Sequence, residues 1–367
     1  MKRILIFGMT DNPGGMESCI MNYYRFIDRS KFQFDFLCNF KTMAYYNEVK
    51  KLGGNVFFIP KRSENAIEYW KAVNKFFKNH AKDYHALWFN TCSLANIDYL
   101  KLAKKYGIGK RIVHAHNSQN MDSKLRGVLH NINRSSVSKY ATDFWSCSND
   151  SSLFFYKDET IKSDKYKIIN NAIDISKYAY NSTVRDKYRK DLGLEGKLVI
   201  GNVGRFHFQK NHLFLIEIFK GIVDNNKNAI LLLVGQGEDE KKIKAKVKEY
   251  SLEKNVKFLG ARDDVNNIMQ AMDIFLLPSL FEGLGIVLIE AQATGLPCFT
   301  SNKVVPKEAR VTELLKFINL SNNPQEWIES IEKCSLNNNR EKAYLSLIGK
   351  NYDIKSEVKK IEKYFEG

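Results

Sequence analysis

The sequence predicts an α/β fold in two domains, each built on a parallel sheet covered by helices. Short apolar runs bounded by turn residues recur along the chain, and helix-length segments separate them, as in parallel α/β sheets. The 367 residues are long for one domain and sufficient for two, each with its own core. A polar stretch at 178–195 precedes a second series of strands, which indicates a linker.

Twelve apolar runs are predicted to be strands. In the first domain they are residues 2–8, 32–38, 55–59, 86–89, 111–114 and 143–146. In the second domain they are residues 197–203, 230–234, 256–259, 274–277, 298–300 and 317–320. Helices are predicted after them at 324–333, 339–351 and 353–365.

The most informative stretch follows the apolar run 273–278. A glycine-rich turn there enters a helix predicted over 285–294, because Gly295 and Pro297 stop it. Such a turn after a buried parallel strand presents unpaired N–H groups at the positive end of a helix, which suits a phosphate. The residues in question are Glu282, Gly283, Leu284, Gly285, Ile286 and Glu290.

The two glutamates of this stretch require a different kind of partner. Glu290 lies in an apolar run, where an unpaired carboxylate is costly to bury. Carboxylates beside a phosphate site match hydroxyl groups, so a ligand with phosphate and polyol parts, such as a nucleotide sugar, satisfies both features. The alternative is that Glu282 merely favours the helix dipole and that Glu290 is exposed.

Two cations follow the strand at 197–203. Arg205 and Lys210 leave one loop at the end of a parallel strand, so both can reach the same ligand. A guanidinium fork and an ammonium together suit a pyrophosphate. Surface cations are common, and the combination with the paired glutamates about seventy residues later makes the pattern specific.

The first domain offers a glycine loop and a histidine. Gly14 and Gly15 open a helix after the first strand, but the spacing is not the dinucleotide fingerprint, which disfavours an oxidoreductase. His116 follows the strand at 111–114, at the end where open α/β sheets bind ligands. His114 is the competing candidate, and a lone histidine is more often structural.

The composition limits the partners and the cellular compartment that are expected for the protein. The net charge of +16 calls for an anionic partner, such as a phosphorylated ligand, nucleic acid or an anionic membrane surface. Basic residues interleaved with apolar ones across 101–139 suit a membrane surface or an ordinary amphipathic helix. Six scattered cysteines suggest neither zinc nor disulfides, and no run is long enough to span a bilayer, so a cytoplasmic protein is expected.

The paired glutamates resemble the motif of retaining GT-B glycosyltransferases of the GT4 type, with Gly283 and Gly285 between Glu282 and Glu290. The likeness covers nearly the whole chain and is greatest to bacterial enzymes that build capsule or exopolysaccharide. It implies two Rossmann-like domains whose parallel sheets face an interdomain cleft. The expected domains are 1–180 on the acceptor side and 181–351 on the donor side, with 352–367 returning to the first domain.

The resemblance also implies a role for each candidate residue. Glu282, His116, Arg205 and Lys210 are expected to act in catalysis, with the two cations on the leaving diphosphate and His116 on the donor sugar. Glu290 is expected to hold the ribose hydroxyls. Donor binding is further expected at Gly15, Gly260, Gly283, Leu284, Gly285 and Ile286. Asn90 departs from the family, in which a histidine is common at that position.

The implied reaction moves a sugar from a nucleotide diphosphate sugar, with UDP favoured, to an acceptor hydroxyl, with retention and without a metal or other cofactor. The acceptor is expected to be a lipid-linked saccharide at the inner membrane face. Alternatives are another GT-B enzyme, such as a sugar phosphorylase or synthase, a basic nucleic-acid-binding protein, for which no reader motif is visible, and a silent nucleotide-sugar sensor. The sequence identifies neither the sugar nor the base.

Overall fold

Two parallel sheets, in two separate units of the chain, carry the fold. The computed structural model describes residues 1–119, 123–320, 323–336 and 339–367. One unit comprises Met1–Ile173 and Asn351–Gly367, and the other comprises Asp174–Lys350. None of the described helices is both long enough and apolar enough to cross a bilayer.

The first unit contains a seven-stranded sheet in the order β3-β2-β1-β4-β5-β6-β7, with every pairing parallel. Its strands are β1 Lys2–Phe7, β2 Phe32–Cys38, β3 Val56–Phe58, β4 Ala86–Thr91, β5 Lys110–Ala115, β6 Asp143–Ser146 and β7 Tyr166–Ile168. The helices between and beside them are α1 Gly15–Phe26, α2 Tyr46–Lys51, α3 Ala66–His80, α4 Asp98–Lys105, α5 Lys124–Arg134, α6 Asn149–Phe155 and α7 Asp158–Ile161.

The second unit contains a six-stranded parallel sheet in the order β10-β9-β8-β11-β12-β13. Its strands are β8 Leu198–Val203, β9 Ala229–Val234, β10 Val256–Gly260, β11 Ile274–Leu277, β12 Cys298–Ser301 and β13 Leu315–Ile318. Its helices are α8 Ser182–Asp191, α9 His212–Asn225, α10 Glu240–Glu249, α11 Val265–Ala271, α12 Ile286–Ala293 and α13 Gln325–Glu332.

Each sheet is buried on both faces, which explains the continuous apolar runs of the sequence. In β1, Ile4 and Ile6 belong to one core cluster and Leu5 belongs to the cluster on the opposite face. In β9, Leu231 and Leu233 face one cluster while Leu232 faces the other. Successive strand residues point to opposite faces, so helices must cover both.

The last helix of the chain, α14 Ile354–Glu366, belongs to the first unit. Ile354, Val358, Ile361 and Phe365 lie on one side of it and join the core cluster that contains Ile4. The division between the units falls after Ile173, whereas the sequence placed it after residue 180. The short 3-10 segment Ile175–Tyr178 lies in the second unit because it packs on α12.

Two secondary-structure predictions need correction. The sequence predicts no strand at the residues of β7, because three residues at a sheet edge give no apolar pattern. The helix predicted at 339–351 is replaced, in its described part, by two 3-10 turns, Arg340–Lys342 and Tyr344–Leu347. The Arg340 guanidinium donates to the carbonyl oxygens of Met272 and Thr294, which fixes the chain there, and Gly349 has a φ of +74° that no helix contains.

Candidate functional site

The strand order of the second unit reverses between β8 and β11. From β8 the chain first adds β9 and β10 on one side of the sheet and then β11, β12 and β13 on the other. The connections therefore leave β8 and β11 in opposite directions, and open α/β sheets in general bind ligands beyond the carboxyl ends of the strands at such a reversal. The loop after β8 carries Arg205 and Lys210, and the loop after β11 carries Glu282.

Hydrogen bonds join these two loops. The Leu280 N–H donates to the Gln209 carbonyl oxygen at 2.8 Å, and Gln209 Nε2 donates to the Phe281 carbonyl oxygen at 3.0 Å. Beside them, Lys210 Nζ lies 2.6 Å from Glu282 Oε1. The structure thus brings together two of the residues that the sequence assigned to catalysis, although they are distant in sequence.

The ion pair of Lys210 and Glu282 is largely buried. The side chain of Lys210 is 17% exposed and that of Glu282 is 6% exposed. Ser279 Oγ also donates to Glu282 Oε1, at 2.6 Å, so both contacts are on the same carboxylate oxygen and Oε2 takes neither of them. Charged groups at this depth need partners, and each of the two supplies the other's.

Arg205 leaves the same loop but pairs in a different direction. Its guanidinium lies 3.1 Å from Glu238, which follows β9, and His207 lies 3.4 Å from the same carboxylate. The Arg205 side chain is 69% exposed, so this pair adds little stability and can be exchanged easily. Lys210 and Arg205 therefore pair on opposite sides of the loop after β8.

Glycines let the loops after β8 and β9 approach closely. Gly235 has a φ of +136°, and a Cβ atom there would overlap the carbonyl oxygen of Gly204. Hydrogen bonds run from Phe206 N–H to the Gln236 carbonyl oxygen at 3.0 Å and from Gly235 N–H to the Gly260 carbonyl oxygen at 2.8 Å. These contacts hold Glu238 beside Arg205.

Gly260 ends β10 in a left-handed conformation, with a φ of +68°. Apart from its chain neighbours, no heavy atom of the described residues lies within 4 Å of the position that its Cβ would occupy, so the space beside it is open in that part of the structure. A ligand can approach this backbone closely, as the predicted role of Gly260 requires.

Helix α12 begins at Ile286 with its N-terminus uncapped by any described side chain. Gly285 precedes it with a φ of +77°, and the Gly285 carbonyl oxygen accepts a hydrogen bond from Leu288 N–H at 2.8 Å. Gly283 lies in the loop before it, and the Leu284 side chain is buried, so Leu284 has only backbone groups to offer a ligand. Among the described residues, neither a capping side chain nor an acidic residue of the first turn therefore occupies the positive end of this helix dipole.

Glu290 is partly buried on α12 and contacts Tyr178. Burial raises the pKa of Glu290, and a hydrogen bond with the Tyr178 side chain acts against that rise. The carboxylate thus has a partner within the second unit, which neither the buried nor the exposed interpretation of the sequence had named. The segment Ile175–Tyr178 provides it by packing on α12.

His212 is a residue of this region that the sequence analysis missed. It opens α9 two positions after Lys210, is 3% exposed, and its ring lies 4.9 Å from the ring of Phe206. Neither ring nitrogen has a hydrogen-bond partner among the described residues. Burial, assisted by the nearby charge of Lys210, lowers the pKa of His212 to about 4. The sequence signal that could have indicated His212 is its position as a polar residue directly after the loop that carries Arg205 and Lys210.

The first sheet also reverses its strand order, between β1 and β4, and His116 follows β5, the strand next to β4. Asn90, in β4, donates through Nδ2 to the Phe7 carbonyl oxygen at 3.2 Å, so its Oδ1 faces His116 and accepts from Nε2–H at 3.0 Å. Burial lowers the pKa of His116 to about 3, so the ring is neutral and Nδ1 is left as an acceptor. Asn90 therefore orients His116.

His114 and His116 differ in their surroundings. His114 is completely buried, and its Nδ1 accepts a hydrogen bond from Trp88 Nε1–H at 3.3 Å, which is a structural role. His116 lies beyond the end of β5 and is only partly buried. Gly8 permits the close approach of β4 to this end of β1, because a Cβ atom on it would lie 2.7 Å from the Asn90 carbonyl oxygen.

The carboxylate of Glu17, in the first turn of α1, reaches back to the glycine loop before that helix. Glu17 is 5% exposed and accepts a hydrogen bond from Thr10 Oγ1 at 2.7 Å, and burial raises its pKa. A Cβ atom on Gly14 would lie 2.7 Å from Glu17 Oε2, whereas the space beside Gly15 is open. The sequence analysis had not seen that Glu17 matches the positive end of this helix; the donor contact of Gly15 stays a prediction.

We expect Lys210 and Glu282 to contribute to the free energy of unfolding in a coupled way. Lys210→Ala leaves a buried carboxylate without its cation and should lower the free energy of unfolding of the second unit by about 2 kcal/mol. Glu282→Gln keeps the Ser279 hydrogen bond, and Lys210 can still reach water, so about 1 kcal/mol is expected. Denaturant unfolding of both variants and the double variant measures the coupling.

The double variant should lose no more free energy of unfolding than Glu282→Gln alone. Lys220→Ala, which removes an exposed ion pair with Asp224 on α9, is the matched control and should have little effect. The coupling would be contradicted if the losses of unfolding free energy in the two single variants added up to that of the double variant within about 0.5 kcal/mol.

Titration of His212 should make the second unit less stable in acid. The unfolded histidine takes up a proton near pH 6.5, whereas the folded one does so only near pH 4. The stabilisation is therefore complete above pH 6.5 and is lost as the pH falls towards 4, by up to roughly 3 kcal/mol. His212→Phe and His212→Gln should both flatten this dependence in denaturant unfolding at pH 7 and pH 5. Slopes equal to that of the wild type would show that His212 does not titrate this way.

Comparison with known proteins assigns the chain to a family. Residues 184–351 match the family model described as glycosyl transferases group 1. EpsF of Bacillus subtilis (strain 168), whose name describes it as a glycosyltransferase, is 30% identical over 342 residues, which cover 91% of this chain and 88% of EpsF. A second relative, UDP-Gal:alpha-D-GlcNAc-diphosphoundecaprenol alpha-1,3-galactosyltransferase of Escherichia coli, is 39% identical over 142 residues, or 38% of this chain and 37% of that enzyme.

Solved structures share the fold. HepE of Anabaena, in complex with UDP and glucose, superposes with a TM-score of 0.80 at 20% identity over the whole of both chains. WaaG, a glycosyltransferase involved in lipopolysaccharide biosynthesis, superposes with a TM-score of 0.68 at 17% identity over 99% of this chain and 95% of WaaG. The predicted GT-B fold is confirmed. Since the similarity to EpsF extends over most of both proteins, this chain belongs to the group 1 glycosyltransferases and is a transferase enzyme.

Proposed function

We propose that the second unit binds a nucleotide diphosphate sugar, with a UDP-sugar as the favoured donor. The observation that carries this proposal is the buried pair of Lys210 and Glu282 at the carboxyl ends of β8 and β11. A cation that suits a diphosphate lies here against a carboxylate that suits sugar hydroxyls. The UDP in the HepE structure and the UDP-Gal in the name of the Escherichia coli relative support uracil as the base.

Binding of such a ligand provides new partners for both charges. The diphosphate attracts Lys210 and the exposed Arg205, which exchanges Glu238 for the ligand at small cost. A sugar hydroxyl then donates to Glu282, whose Oε2 is not engaged by Lys210 or Ser279. Glu290 accepts hydrogen bonds from the ribose hydroxyls. This role requires the ionised form of its carboxyl group. Neither Lys210 nor Glu282 is left buried without a counterpart.

The reaction follows from where charge develops. The bond between the anomeric carbon and the β-phosphate oxygen breaks, so negative charge grows on the leaving diphosphate. Lys210, Arg205 and the N–H groups at the start of α12 stabilise that charge, and the proposal therefore requires no metal. The acceptor oxygen bonds to the anomeric carbon on the face that the diphosphate leaves, and its proton passes to a diphosphate oxygen. The configuration is retained.

His116 serves the same reaction as a neutral hydrogen-bonding group. Asn90 holds its Nε2–H, and Nδ1, which is buried and has no hydrogen-bond partner among the described residues, is the acceptor that remains for a hydroxyl of the donor sugar. Its lowered pKa keeps the ring uncharged at neutral pH. Orientation of the sugar, rather than proton transfer, is thus the proposed role of His116.

We propose further that the acceptor is a lipid-linked saccharide used in the synthesis of a capsule or another exopolysaccharide, and that the enzyme works in the cytoplasm at the inner face of the membrane. The name of the Escherichia coli relative, which includes a diphosphoundecaprenol-linked sugar, supports the class of acceptor. The net charge of +16 supports contact with an anionic membrane.

Calorimetry with UDP, GDP, ADP and their sugar conjugates tests the donor. UDP should bind the wild type, and Lys210→Ala should weaken binding by about 10- to 100-fold through the loss of a charged hydrogen bond. Glu290→Gln should weaken it about tenfold. Lys220→Ala and Glu329→Gln, which break exposed ion pairs of the same unit, are the controls. Equal affinities in all variants would contradict the site, and preference for GDP or ADP would contradict the base.

Transfer assays test the acceptor. A UDP-sugar should be consumed with a diphosphoundecaprenol-linked saccharide and not with fructose or inorganic phosphate, which would indicate a synthase or a phosphorylase. Glu282→Gln should lower kcat/KM while the Kd for UDP stays equal or decreases, because the competing carboxylate no longer holds Lys210. Transfer to the free saccharide at the same rate would argue against a lipid-linked acceptor.

A further inference from the structure

Helix α5 carries its apolar side chains on its outer side. Leu125, Val128, Leu129 and Ile132 recur at a spacing that places them on one helical face. Their exposed fractions run from 39% for Leu129 to 69% for Leu125. A surface helix ordinarily turns such a face towards the core, so this orientation is inverted.

Polar groups attach the inner side of α5 to the first unit. His130 is buried; its Nδ1 accepts from Leu94 N–H at 3.0 Å, and its Nε2 donates to the Phe154 carbonyl oxygen at 3.1 Å. Asn133 Nδ2 donates to the Leu94 carbonyl oxygen at 2.7 Å. The helix is thus fixed by hydrogen bonds, and its apolar face is not needed for attachment.

Helix α6, which α5 contacts through Arg134, carries one more exposed apolar side chain. The Arg134 guanidinium donates to the carbonyl oxygen of Leu153 at 2.9 Å, and the Leu153 side chain is 59% exposed. We call the five side chains Leu125, Val128, Leu129, Ile132 and Leu153 the α5 patch. Exposed apolar side chains grouped on one helical face are typical of a site of interaction.

Along α5 and the segment after it the charged residues are all basic, while Asp150 lies on α6, three positions before Leu153. Residues 123–142 include no aspartate or glutamate and four basic residues: Lys124, Arg126, Arg134 and Lys139. Lys104 is added at the far end, where its Nζ donates to the Lys139 carbonyl oxygen at 2.8 Å. Apolar side chains flanked by cations match the boundary between the headgroups and acyl chains of an anionic bilayer.

We propose that the α5 patch docks on an anionic lipid bilayer, with its apolar side chains among the acyl chains and its cations on lipid phosphates. A second copy of the chain fits less well, because a symmetric contact would bring the same cations together. A nucleic acid would satisfy the cations and leave the apolar side chains exposed. The biological purpose of docking rests on the proposed lipid-linked acceptor; the binding itself does not.

Vesicle flotation without donor or acceptor tests the docking surface. The full chain should float with vesicles that contain phosphatidylglycerol and much less with pure phosphatidylcholine vesicles. Leu125→Ser with Ile132→Ser should reduce binding about tenfold or more, because two apolar side chains no longer insert. Ile67→Ser with Leu345→Ser, which alters two side chains that are 71% and 52% exposed on other segments, is the matched control and should bind like the wild type.

Three outcomes would overturn the proposal: no binding of the wild type to phosphatidylglycerol vesicles, equal binding of the α5 patch variant, or a lipid-free dimer that this variant dissociates in sedimentation. UDP calorimetry on the α5 patch variant separates this proposal from the donor site, because its UDP affinity should equal that of the wild type. Vesicle binding without any UDP binding would refute the donor site and leave the docking surface intact.

Discussion

The reversal of strand order beside β8 is the constraint on which the second unit depends. Because the chain extends the sheet first to one side and then to the other, the loops after β8 and β11 are neighbours in space while being far apart in sequence. Gln209 and Leu280 join their backbones, and Lys210 and Glu282 join their charges. The chemistry of the site is thus placed by topology, and local sequence decides only which side chains occupy it.

The two cations of this site, Lys210 and Arg205, differ in how deeply they are buried. Lys210 is enclosed with Glu282, so a ligand must replace both ends of the pair or leave a charge uncompensated. Arg205 is mostly exposed, and water can replace Glu238 whenever the guanidinium turns away. For the proposed donor, the buried pair would favour ligands that combine phosphate with hydroxyl groups, and the exposed arginine would add an attraction that weakens with salt.

Much of the fold was predictable because buried parallel strands are continuous apolar runs, and the β8 and β11 runs were found close to their observed bounds. The candidate residues were also found, because glycines and charges after such runs are conspicuous. Their partners were not predictable: nothing local connects Lys210 to Glu282 or Arg205 to Glu238. β7 escaped prediction because a three-residue edge strand has no periodicity, and Arg340 replaced a predicted helix through contacts with distant carbonyl groups.

The placement of α14 has a consequence for how the protein is made. The first unit needs Ile354, Val358, Ile361 and Phe365 in its core, yet these residues are synthesised after the whole of the second unit. The usual order, in which the N-terminal domain folds first during translation, is therefore unavailable to this chain. The second unit is continuous, so its whole core is synthesised before α14. The core of the first unit is incomplete until α14 has left the ribosome.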